Sequence, residues 1–146
     1  MNNEVFLVKE AISNLLPNRE DVRKYIWSEL TGPLDSELDL FLVDEIEEYG
    51  SWKEKKRRSG QLVFCGWIYK NKKQGRWLNF YKNGEPHKDC MYKNGEYHGF
   101  CTFWNVNGSY TVSEYYKGKL NGKDCFYSSR GVLQRTRDYK MGRWLY

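Results

Sequence analysis

The sequence predicts an α+β fold, in which two or three short N-terminal helices precede an elongated, twisted antiparallel β-meander of tandem hairpin repeats. Two observations predict it. Apolar residues recur at helical spacing in the first fifty residues, and a tyrosine-lysine pair recurs beyond them with steps of 23, 24 and 23 residues. The pairs begin at Tyr69, Tyr92, Tyr116 and Tyr139. We therefore assign residues 1–50 to a helical cap and residues 51–146 to a repeat array.

The helical cap is predicted from three apolar stripes, the last of which follows a capping residue at Asp35 or Ser36. Thr31-Gly32-Pro33 separates the last two stripes. The stripes are Val5, Val8, Ile12 and Leu15, then Val22, Tyr25, Ile26 and Leu30, then Leu38, Phe41, Leu42 and Ile46. Fifty residues bury only a small core, so we expect the cap to pack on the first hairpins or on a partner.

Turn residues divide each repeat into two strands. Asn-Gly occurs in Lys82-Asn83-Gly84-Glu85, Lys93-Asn94-Gly95-Glu96 and Val106-Asn107-Gly108-Ser109, and it favours tight hairpins that need positive φ. Glycines keep the same period as Gly75, Gly99 and Gly122 and as Gly84, Gly108 and Gly131. The predicted units lie near 51–68, 69–91, 92–115 and 116–138, with a partial unit at 139–146. We expect Trp67, Trp77, Tyr81, Phe103, Trp104 and Phe126 to cover one buried face of this sheet.

The repeats resemble the MORN family, and more closely its degenerate variant, whose units read tyrosine, x, asparagine, glycine, x, x, x, glycine. Residues 92–99 match that pattern in full, whereas the units starting at Tyr69 and Tyr116 each depart from it at one place. The resemblance implies an array of twisted hairpins, found in scaffolds, membrane-associated adaptors, appendages of enzymes and proteins of large DNA viruses. Leu16-Pro17 ahead of helical stripes is also similar to the F-box, but we favour a helical cap there.

Charge divides the chain at the same boundary. Residues 1–50 hold 12 acidic and 4 basic side chains, and residues 51–146 hold 7 acidic and 20 basic ones. The basic array could therefore attract the acidic cap, nucleic acid or an anionic lipid surface. Its densest run is Lys53, Lys55, Lys56, Arg57 and Arg58, for which a solvated, lysine-protected strand edge is the simpler interpretation.

The cysteines and histidines predict no metal site. No Cys-x-x-Cys pair occurs. A two-residue turn at Asn94-Gly95 would pair Cys90 with Gly99, which places Cys90 and Cys101 as near diagonal neighbours. We expect the thiols to be small buried hydrophobes in a reducing compartment, because no secretory signal precedes them.

Function is expected to be non-enzymatic. No motif supplies a nucleophile with its base, so we name no catalytic, cofactor-binding or metal-binding residue. We expect a soluble, intracellular interaction or assembly protein, in the cytoplasm or in a viral particle, with a protein partner and no transmembrane segment. Self-association, binding of nucleic acid or anionic lipid, and an antitoxin or immunity role are the open alternatives. The candidate interaction residues are Lys53, Lys55, Lys56, Arg57, Arg58, Tyr97, Arg143, Trp144 and Tyr146.

Overall fold

The computed structural model describes residues 45–46 and 48–146, and residues 51–145 of these form one nine-stranded antiparallel sheet. Strand order in the sheet is the order in the chain, so each hairpin lies beside the next one. The strands are β1 (Ser51–Lys56), β2 (Leu62–Tyr69), β3 (Lys72–Phe80), β4 (Pro86–Lys93), β5 (Glu96–Trp104), β6 (Tyr110–Tyr116), β7 (Lys119–Tyr127), β8 (Leu133–Lys140) and β9 (Arg143–Leu145).

The α+β fold class is wrong for the described residues, which are essentially all-β. Their helical content is confined to Glu45, Ile46, Glu48 and Tyr49, directly ahead of β1. The predicted helical stripes fall almost entirely on residues 1–44, outside the described residues. The predicted antiparallel meander of hairpins is confirmed.

Two-residue turns form one of the two kinds of connection. They join β2 to β3, β4 to β5, β6 to β7 and β8 to β9, and both residues of each have positive φ, as a type I′ turn requires. The turns are Lys70-Asn71, Asn94-Gly95, Lys117-Gly118 and Met141-Gly142. The predicted tight turn at Asn94-Gly95 is therefore confirmed.

Five-residue loops form the other kind, at residues 57–61, 81–85, 105–109 and 128–132. The fourth residue of each loop is a glycine with φ between 81° and 91°. The Asn-Gly pairs at Asn83 and Asn107, expected in tight hairpin turns, lie instead in these five-residue loops. Each asparagine Oδ1 instead accepts a hydrogen bond from the backbone N–H two residues on, at Glu85 and Ser109, both at 2.9 Å.

The glycines of the other series lie in β-bulges. Gly75, Gly99 and Gly122 have φ of 73°, 101° and 119°, and the strand register shifts opposite each of them. The tyrosine-lysine pair marks no single position relative to the two-residue turns. The first turn residues, 70, 94, 117 and 141, step by 24, 23 and 24, so the position two residues before a turn is Ile68, Tyr92, Tyr115 and Tyr139.

Each of the last three two-residue turns is hydrogen-bonded to the hairpin before it. Its glycine N–H donates to a backbone carbonyl: Gly95 to Lys73 at 3.0 Å, Gly118 to Tyr97 at 2.8 Å and Gly142 to Leu120 at 2.7 Å. The backbone N–H of the first turn residue donates to the side chain of the residue that follows this carbonyl in the chain. These bonds run from Asn94 to Gln74, from Lys117 to His98 and from Met141 to Asn121. Turn N–H groups thereby gain partners, and successive hairpins are held in step.

One face of the sheet, the core face, carries the main apolar cluster. Its buried members are Ile46, Leu62, Cys65, Trp67, Leu78, Phe80, Trp104, Tyr110, Val112, Cys125 and Tyr127. The prediction that six aromatic residues cover one face was wrong. Trp67 and Trp104 lie on the core face, whereas Trp77, Phe103 and Phe126 lie on the opposite face, and the Tyr81 hydroxyl donates to the Trp104 carbonyl at 2.6 Å from a loop.

A buried ion pair also lies on the core face. Arg76 Nε stands 2.8 Å from Asp89 Oδ1, and both side chains are 0% exposed. The pair runs diagonally from β3 to β4, because Leu78 is the residue directly opposite Asp89. Burial raises the pKa of the Asp89 carboxyl to about 6, since lost hydration outweighs the attraction of Arg76.

Trp77 packs over Gly66 on the other face of the sheet. Its Nε1 donates to the Trp67 carbonyl at 3.1 Å. A Cβ added at Gly66 would stand 2.2 Å from the Trp77 ring, so this site has no room for a side chain.

Gly66→Ala is expected to destabilise the sheet by about 1–3 kcal/mol, because the new methyl group displaces the Trp77 ring. Urea unfolding measures the change. In a Trp77→Leu background the same glycine substitution should cost clearly less. An equal cost in both backgrounds would show that the indole ring is not what excludes the methyl group.

Asp89→Leu is expected to cost about 3–5 kcal/mol in the free energy of unfolding, because it removes the carboxylate that stands 2.8 Å from the buried Arg76 guanidinium. The double variant Arg76→Met with Asp89→Leu should recover most of that loss, since well-packed apolar side chains replace both charges. A double variant as unstable as the single one would contradict the ion-pair account.

Candidate interaction face

The face opposite the core face, which we call the outer face, combines basic and aromatic side chains. Its members follow from strand register, because residues opposite each other on neighbouring strands share a face. The aromatic ones are Phe64, Trp77, Tyr92, Tyr97, Phe103, Tyr115, Phe126, Tyr139 and Trp144, and the basic ones are Lys53, Lys55, Lys73, Lys88, Arg135 and Arg137. The outer face is therefore the surface on which basic and aromatic side chains lie together.

One line of directly opposed residues crosses eight strands of the outer face, from β1 to β8. Each member of this transverse row is the register partner of the next. The row is Lys55, Phe64, Asn79, Lys88, Phe103, Thr111, Phe126 and Arg135. Every ring in it stands directly opposite a basic residue on one side, and no carboxylate interrupts it.

Several cations on the outer face lie over aromatic rings. Lys73 Nζ is 4.7 Å from the centroid of Trp77 and 5.0 Å from that of Tyr92. Lys88 Nζ is 5.9 Å from the Phe103 centroid. At β8, Arg135 lies over Phe126 at 5.7 Å and Arg137 over Trp144 at 5.0 Å. The charged groups are thereby held against the sheet, because each ring attracts the cation above it.

The rings themselves form a connected layer. Tyr97 is its centre, with ring centroids 4.9 Å from Tyr92, 5.0 Å from Tyr115 and 6.3 Å from Phe103. Trp77 links Tyr92 to Phe64 through contacts of 6.4 and 6.1 Å. Apart from the buried Trp77, the rings of this layer are only half-buried, so parts of them face solvent.

Acidic side chains are scarce on the outer face. Among the described strands it carries six basic residues and one acidic residue, Asp124. Asp124 accepts a hydrogen bond from the Ser113 hydroxyl and stands opposite Arg137, so its charge is already engaged. The surface therefore has a strong positive bias that suits an anionic partner.

The residues singled out in the sequence do not form one site. Lys53 and Lys55 lie on the outer face of the edge strand β1, while Lys56, Arg57 and Arg58 occupy the end of that strand and the following loop. Arg143, Trp144 and Tyr146 lie at the other edge, eight strand spacings or about 38 Å away. Tyr97 lies between them on β5. Lys53, Lys55, Tyr97 and Trp144 share the outer face, which joins the two edges.

Sequence reasoning missed the middle of this face. Lys73, Lys88, Arg135 and Arg137 were not singled out, and Phe103 and Phe126 were assigned to the core. The alternation within each strand was a usable signal, since Phe103 and Trp104 are adjacent and must point to opposite faces. The alternation cannot be extended from one strand to the next, because each bulge shifts the register and the sequence does not locate the bulges.

The buried thiols lie on both faces. Cys90 and Cys101 are directly opposite each other, two residues away from the predicted register, because the bulge between Cys90 and Tyr92 shifts it. The expectation that Cys65, Cys90, Cys101 and Cys125 are buried is confirmed, and all four are free thiols. Burial raises the pKa of Cys65 to about 12 and also raises the pKa of Cys101.

The two histidines contact separate partners. His87 stacks on Tyr81 at 4.3 Å, and burial lowers its pKa. The Nδ1 atom of His98 accepts the Lys117 N–H, and its ring lies 5.1 Å from Tyr116. Within residues 45–46 and 48–146, no three His, Cys, Asp or Glu side chains are grouped as metal ligands.

Comparison with known proteins gives no match, either to a family model or to a curated protein. In the described part of the chain, no helix has the length and hydrophobicity that a membrane-crossing helix needs. The assignment of a function therefore rests on the geometry of the outer face.

The four thiols are expected to resist a disulfide reagent such as DTNB at pH 8 in the folded protein. The thiolate is the reacting species. Burial blocks access to all four thiols and also raises the pKa of Cys65 and Cys101. Unfolding in guanidinium should expose all four, which serves as the internal control. A thiol that reacts within seconds in the native state would reveal an accessible nucleophile.

Proposed function

We propose that this chain is a non-enzymatic interaction protein that binds its partner through the outer face. The observation that carries the proposal is the coincidence, on one surface, of six cations, one engaged carboxylate and a layer of half-exposed rings. Aromatic and arginine side chains are the residues that most often supply binding energy at interfaces. The sheet holds them in fixed relative positions before any partner arrives.

Rigidity supports the proposal. Backbone hydrogen bonds of 2.7–3.0 Å join the last three two-residue turns to the preceding hairpins, and four of the six cations are already placed over rings. Side chains that are ordered before binding lose less entropy on association. A surface of this kind binds by shape and charge and needs no reactive group.

The resemblance to MORN repeats supports the same proposal, since that family includes scaffolds and adaptors. A role as an antitoxin or immunity partner, or as a structural component of a viral particle, would use the same surface. Self-association would use a different surface, because β1 is an edge strand that could pair with the edge strand of another copy. Its exposed lysines Lys53, Lys55 and Lys56 oppose that pairing by charge repulsion.

Charge reversal on the outer face tests the proposal. The variant Lys73→Glu with Arg135→Glu changes two exposed side chains of this face. Immobilised protein should retain about tenfold less material from a lysate of its source organism, because like charges now face the anionic partner. Quantifying retained protein and nucleic acid separately gives the measurement.

Lys82→Glu with Lys140→Glu is the matched control. It makes the same change in charge at two exposed positions outside the outer face, one in a five-residue loop and one on the opposite side of β8. This variant should retain as much material as the unchanged protein. Equal losses in both variants would show that net charge alone governs retention, and the proposal would then be rejected.

A further inference from the structure

We propose that the partner of the outer face is single-stranded nucleic acid, bound along the transverse row. This inference rests on the proposed function and specifies its ligand. The row contains both chemical groups that a single strand needs: cations for its phosphates and aromatic rings for its bases. Lys55, Lys88 and Arg135 supply the cations, and Phe64, Phe103 and Phe126 supply the rings.

The length of the row fits an extended polymer. It spans seven strand spacings, or about 34 Å, from Lys55 on β1 to Arg135 on β8. Lys88 lies between them on β4, so cationic groups recur along the whole path. A compact anion would contact one of these positions, whereas a polyanion can contact all three.

The rings are placed so that bases could reach them. Phe64, Phe103 and Phe126 are each half-buried, so part of each residue faces solvent beside the Lys88 and Arg135 cations that lie over Phe103 and Phe126. Stacking on an aromatic ring is tolerant of sequence, because every base has a flat π surface. Asn79 and Thr111 fill the remaining positions with groups that can exchange hydrogen bonds with sugars or base edges.

Geometry favours a single strand over a duplex or a membrane. A β-sheet twists, so a line that crosses eight strands turns as it goes. A flexible strand can follow that line, whereas a flat bilayer or a stiff duplex would touch only part of it. In a duplex the bases are also paired and stacked, so their flat surfaces could not reach Phe103.

Fluorescence anisotropy with two labelled strands tests the inference on the full chain. One strand is an oligothymidine of about 16 nucleotides, the upper end of the site sizes of single-strand grooves, and the other is an abasic strand of equal length. At low salt the oligothymidine should bind at least about fivefold more tightly, because only it can stack. A duplex of the same length and phosphatidylserine vesicles should compete weakly.

Two variants separate stacking from charge. Phe103→Leu keeps an apolar side chain but removes the aromatic ring, so it should weaken oligothymidine binding about fivefold and leave the abasic strand unaffected. Lys88→Gln should weaken binding of both strands and lower the slope of log affinity against log salt by about 0.7. Lys82→Gln, in a loop outside the row, is the matched control and should change neither. If Phe103→Leu fails to fold, Phe126→Leu makes the same test elsewhere in the row.

Three results would overturn the inference. They are no binding of oligothymidine at low salt, equal affinity for the abasic strand together with unchanged binding by Phe103→Leu, and vesicle binding without oligothymidine binding. Nuclease treatment of the lysate separates this failure from that of the proposed function. Material that survives nuclease but still requires Lys73 and Arg135 would support an interaction face with a protein partner and reject nucleic acid.

Discussion

The hydrogen bonds that join the last three two-residue turns to their preceding hairpins hold successive repeats of the sheet in step. The N–H groups of Gly95, Gly118 and Gly142 all bond to backbone carbonyls one repeat earlier. Such turns need residues that accept positive φ, which is why glycine or asparagine recurs there. With every hairpin held in step, residues at the same position in successive copies fall into line across the sheet. The transverse row exists because of this alignment.

The two faces of the sheet carry different kinds of side chain. The core face combines a large apolar cluster with the Arg76–Asp89 pair, and the outer face places rings beneath cations. A shift of β3 against β4 by one residue would separate the two buried charges, so the pair penalises the wrong register. The register of the core face therefore also determines which residues meet on the outer face.

Much of the fold could be predicted from the sequence, and the reason is the repeat itself. A period of 23 or 24 residues with Asn-Gly turns leaves room for two strands and for no helix, so the meander and the turn at Asn94-Gly95 were predictable. The face of the sheet on which each side chain lies was not predictable. Each bulge at Gly75, Gly99 or Gly122 shifts the register, and a glycine in a sequence does not state whether it lies in a turn or a bulge. The burial of Arg76 was equally unpredictable, because it depends on an ion pair with Asp89, which lies thirteen residues further along the chain.

The agreement between strand order and chain order has a mechanical consequence. Because each strand bonds only to its neighbours in sequence, the contacts that hold the sheet together are local, which favours rapid folding for a β-protein. Tension applied to the two ends of the sheet would act on the hydrogen bonds of one edge strand at a time. The array should then lengthen in steps of one strand, as a zipper opens, while the hairpins still in place keep their binding surface.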